Sequence, residues 1–322
     1  VDAKGHTEVV DAYVAPQLNV PGKTEGKHCS VCNEVLVAQN EIPALKGEAS
    51  IGNIGYETLE KAIEAAQPGD VIVLNENVEA SAIITIDKAL TIDGTDKILT
   101  STAARGINVD GANGATIKNL IIEASGERAI NVINGATNVT IENVTATAAN
   151  YAVNVAGSAA NAVVTINDSD LTGLAVVNVA AEGVQIAVNN TKLTNVDANA
   201  NEYYGAITIG YGATDAKVTV SGGEIVTSDD SKKAYVFAPT ATVEGVDEIG
   251  YVVAMIGDAG YDSLEEAIAD AKPGQTIELL RDVTTSKIIT VNKAITINGN
   301  GNTITSTAAR GINVDGANGA TI

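Results

Sequence analysis

The sequence contains no tryptophan, one phenylalanine and one methionine, and only 3% of its 322 residues are aromatic, although 45% are hydrophobic. Ala, Val and Ile must therefore fill whatever interior the protein has, which suits a narrow core. The length by itself allows two or three domains of average size.

Basic residues are scarce. Lys and Arg total 19 against 40 Asp and Glu, which gives a net charge of −21. Phosphate backbones and anionic membrane surfaces both require Lys and Arg, so we expect no nucleic-acid partner. We also expect no membrane insertion, because no apolar run approaches the roughly 20 residues of a membrane span.

Cysteine is almost absent as well, since both copies lie in a single Cys-x-x-Cys motif near the start of the chain. This excludes a disulfide-stapled scaffold. Val1 begins the chain without Met or a basic signal region, so we expect an internal or mature fragment.

A long internal repeat organises the chain. Residues 51–117 align with 256–322 without a gap at an offset of 205, and TSTAARGINVDGANGATI occurs at both 100–117 and 305–322. The repeat predicts three regions, which we place at 1–50, 51–255 and 256–322, the last being an incomplete second copy.

A shorter period lies inside the long repeat. Motifs such as TIDG, TIKN and TIEN recur in steps of 25, 24, 25, 22 and 32 residues, and a second register of GINV-like motifs agrees with it. Every motif ends in a residue type that tolerates a left-handed backbone. The predicted corner residues are Gly94, Asn119, Asn143, Asp168, Asn190 and Gly222.

Turns of about 23 residues with short strands cannot bury their apolar side chains alone, but stacked turns close a core and pair their backbones. The period therefore predicts a parallel β-solenoid with Asn side chains hydrogen-bonded along one corner. The alternative is an antiparallel sandwich, which requires hairpin turns every 8 to 12 residues and has no fixed coil length.

Each long copy opens with a helical pattern, GYETLEKAIEAAQPGD in the first and GYDSLEEAIADAKPGQ in the second. Ser263 and Glu266 have the spacing of a capping box, and Pro-Gly ends each pattern. Because the first coil of a solenoid has unpaired edges and an open core, we expect each short helix to be an N-terminal cap.

These openings, followed by VIVL or TIEL and then by coils, resemble the start of pectate-lyase-like β-helix regions in large surface proteins of Gram-positive gut bacteria. PGKTEGKHCSVCNEVLVAQNEIPAL, at 21–45, resembles a short Cys-containing repeat of such proteins. The resemblance implies a right-handed parallel β-helix and a location at the cell surface or outside the cell. With the repeat, it predicts an all-β fold with a short helical N-terminal cap and a truncated second unit. It implies no activity.

The HCSVC segment offers His28, Cys29 and Cys32 as metal ligands, and His6 lies upstream in a GHTE motif. Zn²⁺ binding, a disulfide between the two cysteines and inert thiols all stay open, because a closed tetrahedral zinc site needs four ligands. The resemblance also implies a further Cys at the position that Leu18 occupies.

We expect no enzymatic activity. For enzymes of this fold, the resemblance implies clustered Asp with an Arg or Lys base, or several Asp with a His. Both histidines lie outside the predicted β-helix, and no Arg occurs between Arg128 and Arg281. A groove that brought two or more carboxylates together with a Lys or Arg would favour a polysaccharide lyase or hydrolase.

The 32-residue step inserts TNVDANANEYYG and brings three tyrosines close together in sequence. Tyr203, Tyr204 and Tyr211 are candidates for stacking on sugar faces, and the alternative is that they cover Ala and Val methyl groups. Asp197, Asn199 and Asn201 imitate the start of a Ca²⁺ loop, although Glu202 replaces the turn glycine.

We therefore expect a structural or adhesive module. It would act as a stiff spacer whose partners are neighbouring repeats, with weak binding of glycan or of a host protein. A polysaccharide lyase or hydrolase and a self-assembling filament subunit are the alternatives. No cofactor is expected, and Ca²⁺ and Zn²⁺ are the two metals left open.

Overall fold

The computed structural model describes residues 5–196, 203–227 and 232–322. Parallel strands stack into a β-solenoid of about ten turns, so the all-β solenoid predicted from the sequence is confirmed. Only two helices occur in the described ranges, α1 (Leu59–Ala65) and α2 (Leu264–Asp270). Each has seven residues, which is too short for a membrane-spanning helix.

The first solenoid has three faces, each a column of parallel strands. Face A consists of Val71–Leu74, the first parts of Thr91–Ser101, Thr116–Ala124 and Val139–Thr147, then Val163–Asn167, Gln185–Asn189, Lys217–Ser221 and Thr242–Glu244. Face B consists of Val78–Ala80, the second parts of the same three long strands, then Asp170–Gly173, Lys192–Asn195 and Glu224–Val226.

Face C has eight strands. They are Ile84–Ile86, Arg105–Asp110, Arg128–Ile133, Tyr151–Val155, Val177–Val179, Ile207–Ile209, Ala234–Val236 and Ile249–Tyr251. The GINV-like motifs of the sequence form these strands.

The interior consists of Val, Ile, Leu and Ala. One continuous cluster of buried side chains runs from Ala49 to Val243, and a second runs from Ala254 to Ala317. The two clusters are separate, so each solenoid unit has its own core.

Helix α1 closes the first core and is held at both ends. The Thr58 hydroxyl accepts a hydrogen bond from the Lys61 backbone N–H at 3.3 Å. The Lys88 ammonium donates to the carbonyl oxygens of Ile63 and Ala66 near the last turn, at 2.9 and 3.2 Å. This places a cation at the negative end of the helix dipole.

The second cap repeats this arrangement. The Ser263 hydroxyl accepts from the Glu266 N–H at 3.2 Å, and Lys293, 205 residues after Lys88, donates to the Ile268 and Ala271 carbonyl oxygens at 3.1 and 2.9 Å. After the antiparallel strands Ala254–Ile256 and Ala259–Tyr261, the second unit contains parallel strand pairs. These are Thr276–Leu279 with Thr296–Asn298, Val283–Thr285 with Ile304–Ser306, and Ile289–Val291 with Ile312–Val314.

The residues before the first cap form short antiparallel strands. These are Glu8–Asp11, Gly22–Lys23, Gly26–Cys29, Val35–Val37 and Glu41–Ile42. The next strands, Ala49–Ile51 and Ile54–Tyr56, belong to the cap, and the first of them crosses the predicted boundary at residue 50. The Asn19 side chain joins the segment to the cap, since it donates to the Gly55 carbonyl at 2.8 Å and accepts from the Gly55 N–H at 2.6 Å.

Most of the predicted corner residues have a left-handed backbone. The φ angles of Asn119, Asn143, Asp168, Asn190 and Gly222 are 50°, 51°, 49°, 46° and 74°. The Asn143 amide donates to the Asn119 side-chain oxygen at 2.9 Å, as expected for a corner ladder.

Gly94 does not share this conformation. Thr95 and Asp96 have the positive φ angles in its coil, because the strand register shifts between Asp93 and Lys97. The Asn119 amide therefore donates to the Asp93 carboxylate, at 2.9 Å. Gly94 serves a close approach instead, since a Cβ there would lie 2.5 Å from the Asn119 carbonyl oxygen.

A second Asn ladder lies within face C, and its first three members, Asn108, Asn131 and Asn154, are buried. Asn131 donates to Asn108 at 2.9 Å, Asn154 to Asn131 at 2.6 Å and Asn178 to Asn154 at 2.7 Å. Asn131 and Asn154 are 1% and 3% exposed, and Thr208 continues the register after Asn178. A chain of satisfied amides in a low-dielectric interior favours one register of the coils.

Candidate functional site

A groove of ≈ 1180 Å³ lies where the last coils of the first solenoid meet the cap of the second unit; we call it the junction groove. Among the described residues, its aromatic lining is Tyr203, Tyr204, Tyr235, Phe237 and Tyr261. Its charged lining is Lys232, Asp258, Asp262, Glu266 and Asp270. The groove therefore joins an aromatic wall to an acidic wall.

The aromatic wall follows from strand alternation. In the strand Ala234–Val236, Ala234 and Val236 are buried in the core, so Tyr235 and the following Phe237 lie on the opposite side. Tyr203 packs edge-to-face on both, with ring centroids 5.2 Å from Tyr235 and 6.3 Å from Phe237. Each of the three residues is only half-buried, so part of its ring stays accessible.

Two glycines make room for these rings. A Cβ on Gly250 would lie 2.6 Å from the Tyr235 ring, and a Cβ on Gly260 would lie 2.7 Å from the Phe237 ring. Because Gly250 belongs to the last strand of face C and Gly260 to the second cap, the aromatic residues rest on both units.

The acidic wall comes from the second cap. The Tyr261 hydroxyl donates to the Asp270 carboxylate at 2.5 Å, and burial together with this bond raises the pKa of Tyr261 to about 12. A hydrogen bond with the Asp262 side chain, followed by burial, raises the pKa of Glu266. The negative form of Glu266 is unfavourable beside this second carboxyl group, which accounts for the direction of its shift.

At the equivalent positions, the first cap has one acidic and one basic residue instead of two acidic residues. Glu57 and Lys61 stand 205 residues before Asp262 and Glu266, and their side chains form an ion pair. The acidic pair is therefore a feature of the second cap, where it faces the aromatic wall.

Tyr203 connects the two walls. Burial is the largest cause of its raised pKa, and the Asp262 and Glu266 carboxylates add to it. The tyrosine oxygen also has a backbone hydrogen bond with Asp262. A residue of the 32-residue step thus contacts the cap of the next unit.

The three predicted tyrosines do not form one surface. Tyr203 and Tyr204 line the junction groove, whereas Tyr211 is 54% exposed and is not part of its lining. Tyr204 also has a side-chain hydrogen bond with Tyr151, whose ring packs against Arg128 at 5.7 Å. The predicted calcium residues Asp197, Asn199 and Asn201 lie outside the described residues.

Arg281 of the second unit binds the end of the first unit, a role that no sequence motif indicates. Its guanidinium donates to the carbonyl oxygens of Val252, Val236, Ala238 and Pro239 at 3.1, 3.0, 2.8 and 3.2 Å. The carbonyl groups span the last coil and the linker of the first unit, so one side chain of the second unit binds both.

The cysteine motif forms a separate cluster in the N-terminal segment. The ligand atoms of His6, Cys29 and Cys32 all lie within 4.8 Å of one another. His28, the histidine that we named from the sequence, is not among them, because its Nδ1 lies 2.7 Å from the Asp11 carboxylate. Adjacent residues of a strand face opposite sides, so His28 and Cys29 cannot face the same ion.

Comparisons with protein-family models, with curated proteins and with solved structures found no match to this chain. The resemblance to surface-protein β-helices stays a prediction from the sequence.

Proposed function

We propose that this protein is a structural and adhesive module of a bacterial cell-surface repeat protein, which uses stacked β-solenoid units as a stiff spacer and binds glycan in the junction groove. One observation carries the proposal: the groove is built by side chains of two units, so it requires that the units be joined at a fixed angle. On the basis of the resemblance, we place the module outside the cell.

Stiffness is supported by contacts along the whole length. Backbone pairing is continuous on each face of the first solenoid. The hydrogen-bonded ladder of face C crosses four coils, through Asn108, Asn131, Asn154 and Asn178. At the end of the unit, the four carbonyl contacts of Arg281 oppose bending between the two cores.

The lining favours uncharged or amino sugars. Aromatic rings can pack on the apolar face of a pyranose, and carboxylates accept hydrogen bonds from hydroxyl or ammonium groups. Four acidic residues, Asp258, Asp262, Glu266 and Asp270, face a single basic residue, Lys232, in the described lining. The excess of negative charge repels polyuronates and sulfated glycans.

A polysaccharide hydrolase or lyase is the second candidate, because the groove does combine several carboxylates with a lysine. Its strongest support is the raised pKa of Glu266, which is a property of a general acid. However, Asp262 and Glu266 are in hydrogen-bonding contact, whereas the two carboxyl groups of most glycosidases are about 5 to 9 Å apart. The close contact of this one pair therefore favours binding over cleavage by Asp262 and Glu266.

A labelled preparation of the full chain, tested on an array of neutral, amino and anionic glycans with and without Ca²⁺, distinguishes the candidates. We expect retention on neutral or amino glycans and no change in those glycans during incubation. Retention on anionic glycans alone would contradict the proposed ligand class. Release of reducing ends or of unsaturated uronate would favour the enzyme.

A further inference from the structure

The cluster of His6, Cys29 and Cys32 lies far along the chain from the junction groove and has the organisation of an ion-binding site. The strand Gly26–Cys29 pairs with Glu8–Asp11 so that Cys29 stands opposite Glu8, just beyond His6. The chain then turns sharply and brings Cys32 back to the same side. Residues 26 positions apart in sequence thereby meet at one point.

The turn after Cys29 is shaped to hold a thiolate. Asn33 has a φ of 59°, and its N–H donates to the Cys29 carbonyl at 2.8 Å, which closes the turn. The backbone N–H groups of Cys32 and Val31 point to the Cys29 sulfur, and hydrogen bonds of this kind favour a thiolate over a thiol. Cys29 is only 2% exposed, so its thiolate is held in a protected position. The thiolate is the form of cysteine that binds metal.

His6 is oriented by an acidic residue, Glu34. Its Nδ1 lies 3.5 Å from the Cys32 sulfur, and its Nε2 lies 3.2 Å from the Glu34 carboxylate. A carboxylate on the far nitrogen of a metal-binding histidine fixes the ring and increases its basicity. Glu34 has the position of such a partner.

The separations fit a tetrahedral ion. With Zn–S bonds of about 2.3 Å and Zn–N bonds of about 2.0 Å, neighbouring ligand atoms of a tetrahedral site are about 3.5 to 3.8 Å apart. The distance from His6 Nδ1 to Cys32 Sγ matches this value, and the three ligand atoms are near enough for small side-chain rotations to complete the geometry.

We propose that His6, Cys29 and Cys32 bind one Zn²⁺ ion, with Glu34 orienting His6 and with a water molecule or a small anion in the fourth coordination position. His28 has no part in the site. The ion stabilises the antiparallel segment of residues 5–48, whose side chains otherwise contribute few members to a buried core.

Metal analysis of the full chain, purified under reducing conditions and dialysed against Zn²⁺ at neutral pH, tests the proposal. We expect one Zn²⁺ per chain and, after exchange, the visible absorption of thiolate-bound Co²⁺. His6→Gln and Cys32→Ser should each weaken Zn²⁺ binding by more than about 100-fold, and Glu34→Gln by about 10-fold. The matched control His28→Gln should change the affinity by less than twofold.

The affinity should also fall in acid, since protons compete with the ion for the thiolate and imidazole ligands. Zn²⁺ far below one equivalent in the wild-type protein would overturn the proposal, as would a Cys29 to Cys32 disulfide that forms with Zn²⁺ present. Equal losses in His6→Gln and His28→Gln would overturn it as well. Glu34→Gln keeps all three ligands, so its result holds if Cys32→Ser fails to fold.

Discussion

The Arg281 guanidinium lies over the ring of Tyr251, with Cζ 4.9 Å from the ring centroid. Tyr251 ends the last strand of face C and Arg281 belongs to the second unit, so this cation–π contact crosses the junction. In the first unit the equivalent position is Glu76, which has the opposite charge. The junction therefore depends on a residue in which the two repeats differ.

Replacing Arg281 should lower the stability of the second unit. Arg281→Met keeps an apolar stem but leaves carbonyl groups of the junction without their donor, so we expect a loss of roughly 1 to 3 kcal/mol. Hydrogen exchange at 254–297 should accelerate while exchange at 106–189 stays unchanged. Arg310→Met, at an exposed position, is the matched control. Equal effects of the two substitutions would contradict the role of Arg281.

Substitutions in the middle of the Asn ladder of face C should lower the free energy of unfolding more than substitutions at its end. Asn131→Ala removes the donor to Asn108 and the acceptor for Asn154, and both neighbours are buried. We expect a loss of about 2 to 4 kcal/mol in urea unfolding. Asn178→Thr should cost less than about 1.5 kcal/mol, because the next coil already has Thr208 in this register. A larger loss at Asn178 than at Asn131 would contradict the ladder.

The corner ladder makes a prediction about backbone conformation. Asn143 has a φ of 51°, which glycine adopts without strain and β-branched residues do not. Asn143→Gly should therefore cost about 1 kcal/mol or less, and Asn143→Val about 2 kcal/mol or more. Thermal unfolding of the two variants measures the difference. Equal melting temperatures for the two variants would contradict the requirement for a left-handed backbone at this corner.

The acidic pair should make stability depend on pH. The pKa of Glu266 is raised in the folded protein, so between its ordinary value of 4.5 and the folded value the native state binds more protons than the unfolded state. Stability should thus fall as the pH rises through this window and level off above it.

Glu266→Gln should remove this part of the pH dependence, because the amide retains a hydrogen bond to Asp262 without the second charge. Unfolding measured between about pH 4 and pH 7 checks this. Glu142→Gln, which removes one charge from an exposed strand position, should keep the wild-type slope. An unchanged slope in Glu266→Gln would refute the coupling.

The sequence predicts the coils well because their cause is local and periodic. Every coil repeats the same alternation of β-branched residues and turn residues, so the corners at Asn119, Asn143, Asp168 and Asn190 could be placed within one residue. The exception is Gly94, since nothing in the motif TIDG signals the extra residues that shift the register after Asp93.

The functional groups were harder to predict because they depend on contacts between distant residues. Arg281 binds carbonyl groups 29 to 45 residues away, and a carbonyl group has no sequence signal. The acidic pair did have a signal, namely Glu266 standing where the first copy has Lys61. The sequence offers both His28 and His6 as partners of the cysteines, and only strand alternation in the fold shows which of them lies on the cysteine side.

Titration of the best array ligand against three tyrosine variants tests most directly whether the junction groove binds glycan. Tyr203→Ala should weaken binding about 5- to 10-fold, since a packed ring contributes about 1 to 1.5 kcal/mol. Tyr203→Phe should retain most of the affinity because the ring remains. Tyr211→Ala, outside the groove, should bind as the wild type does. Equal affinities for Tyr203→Ala and the wild type, or a loss of affinity in Tyr211→Ala alone, would contradict glycan binding in the junction groove.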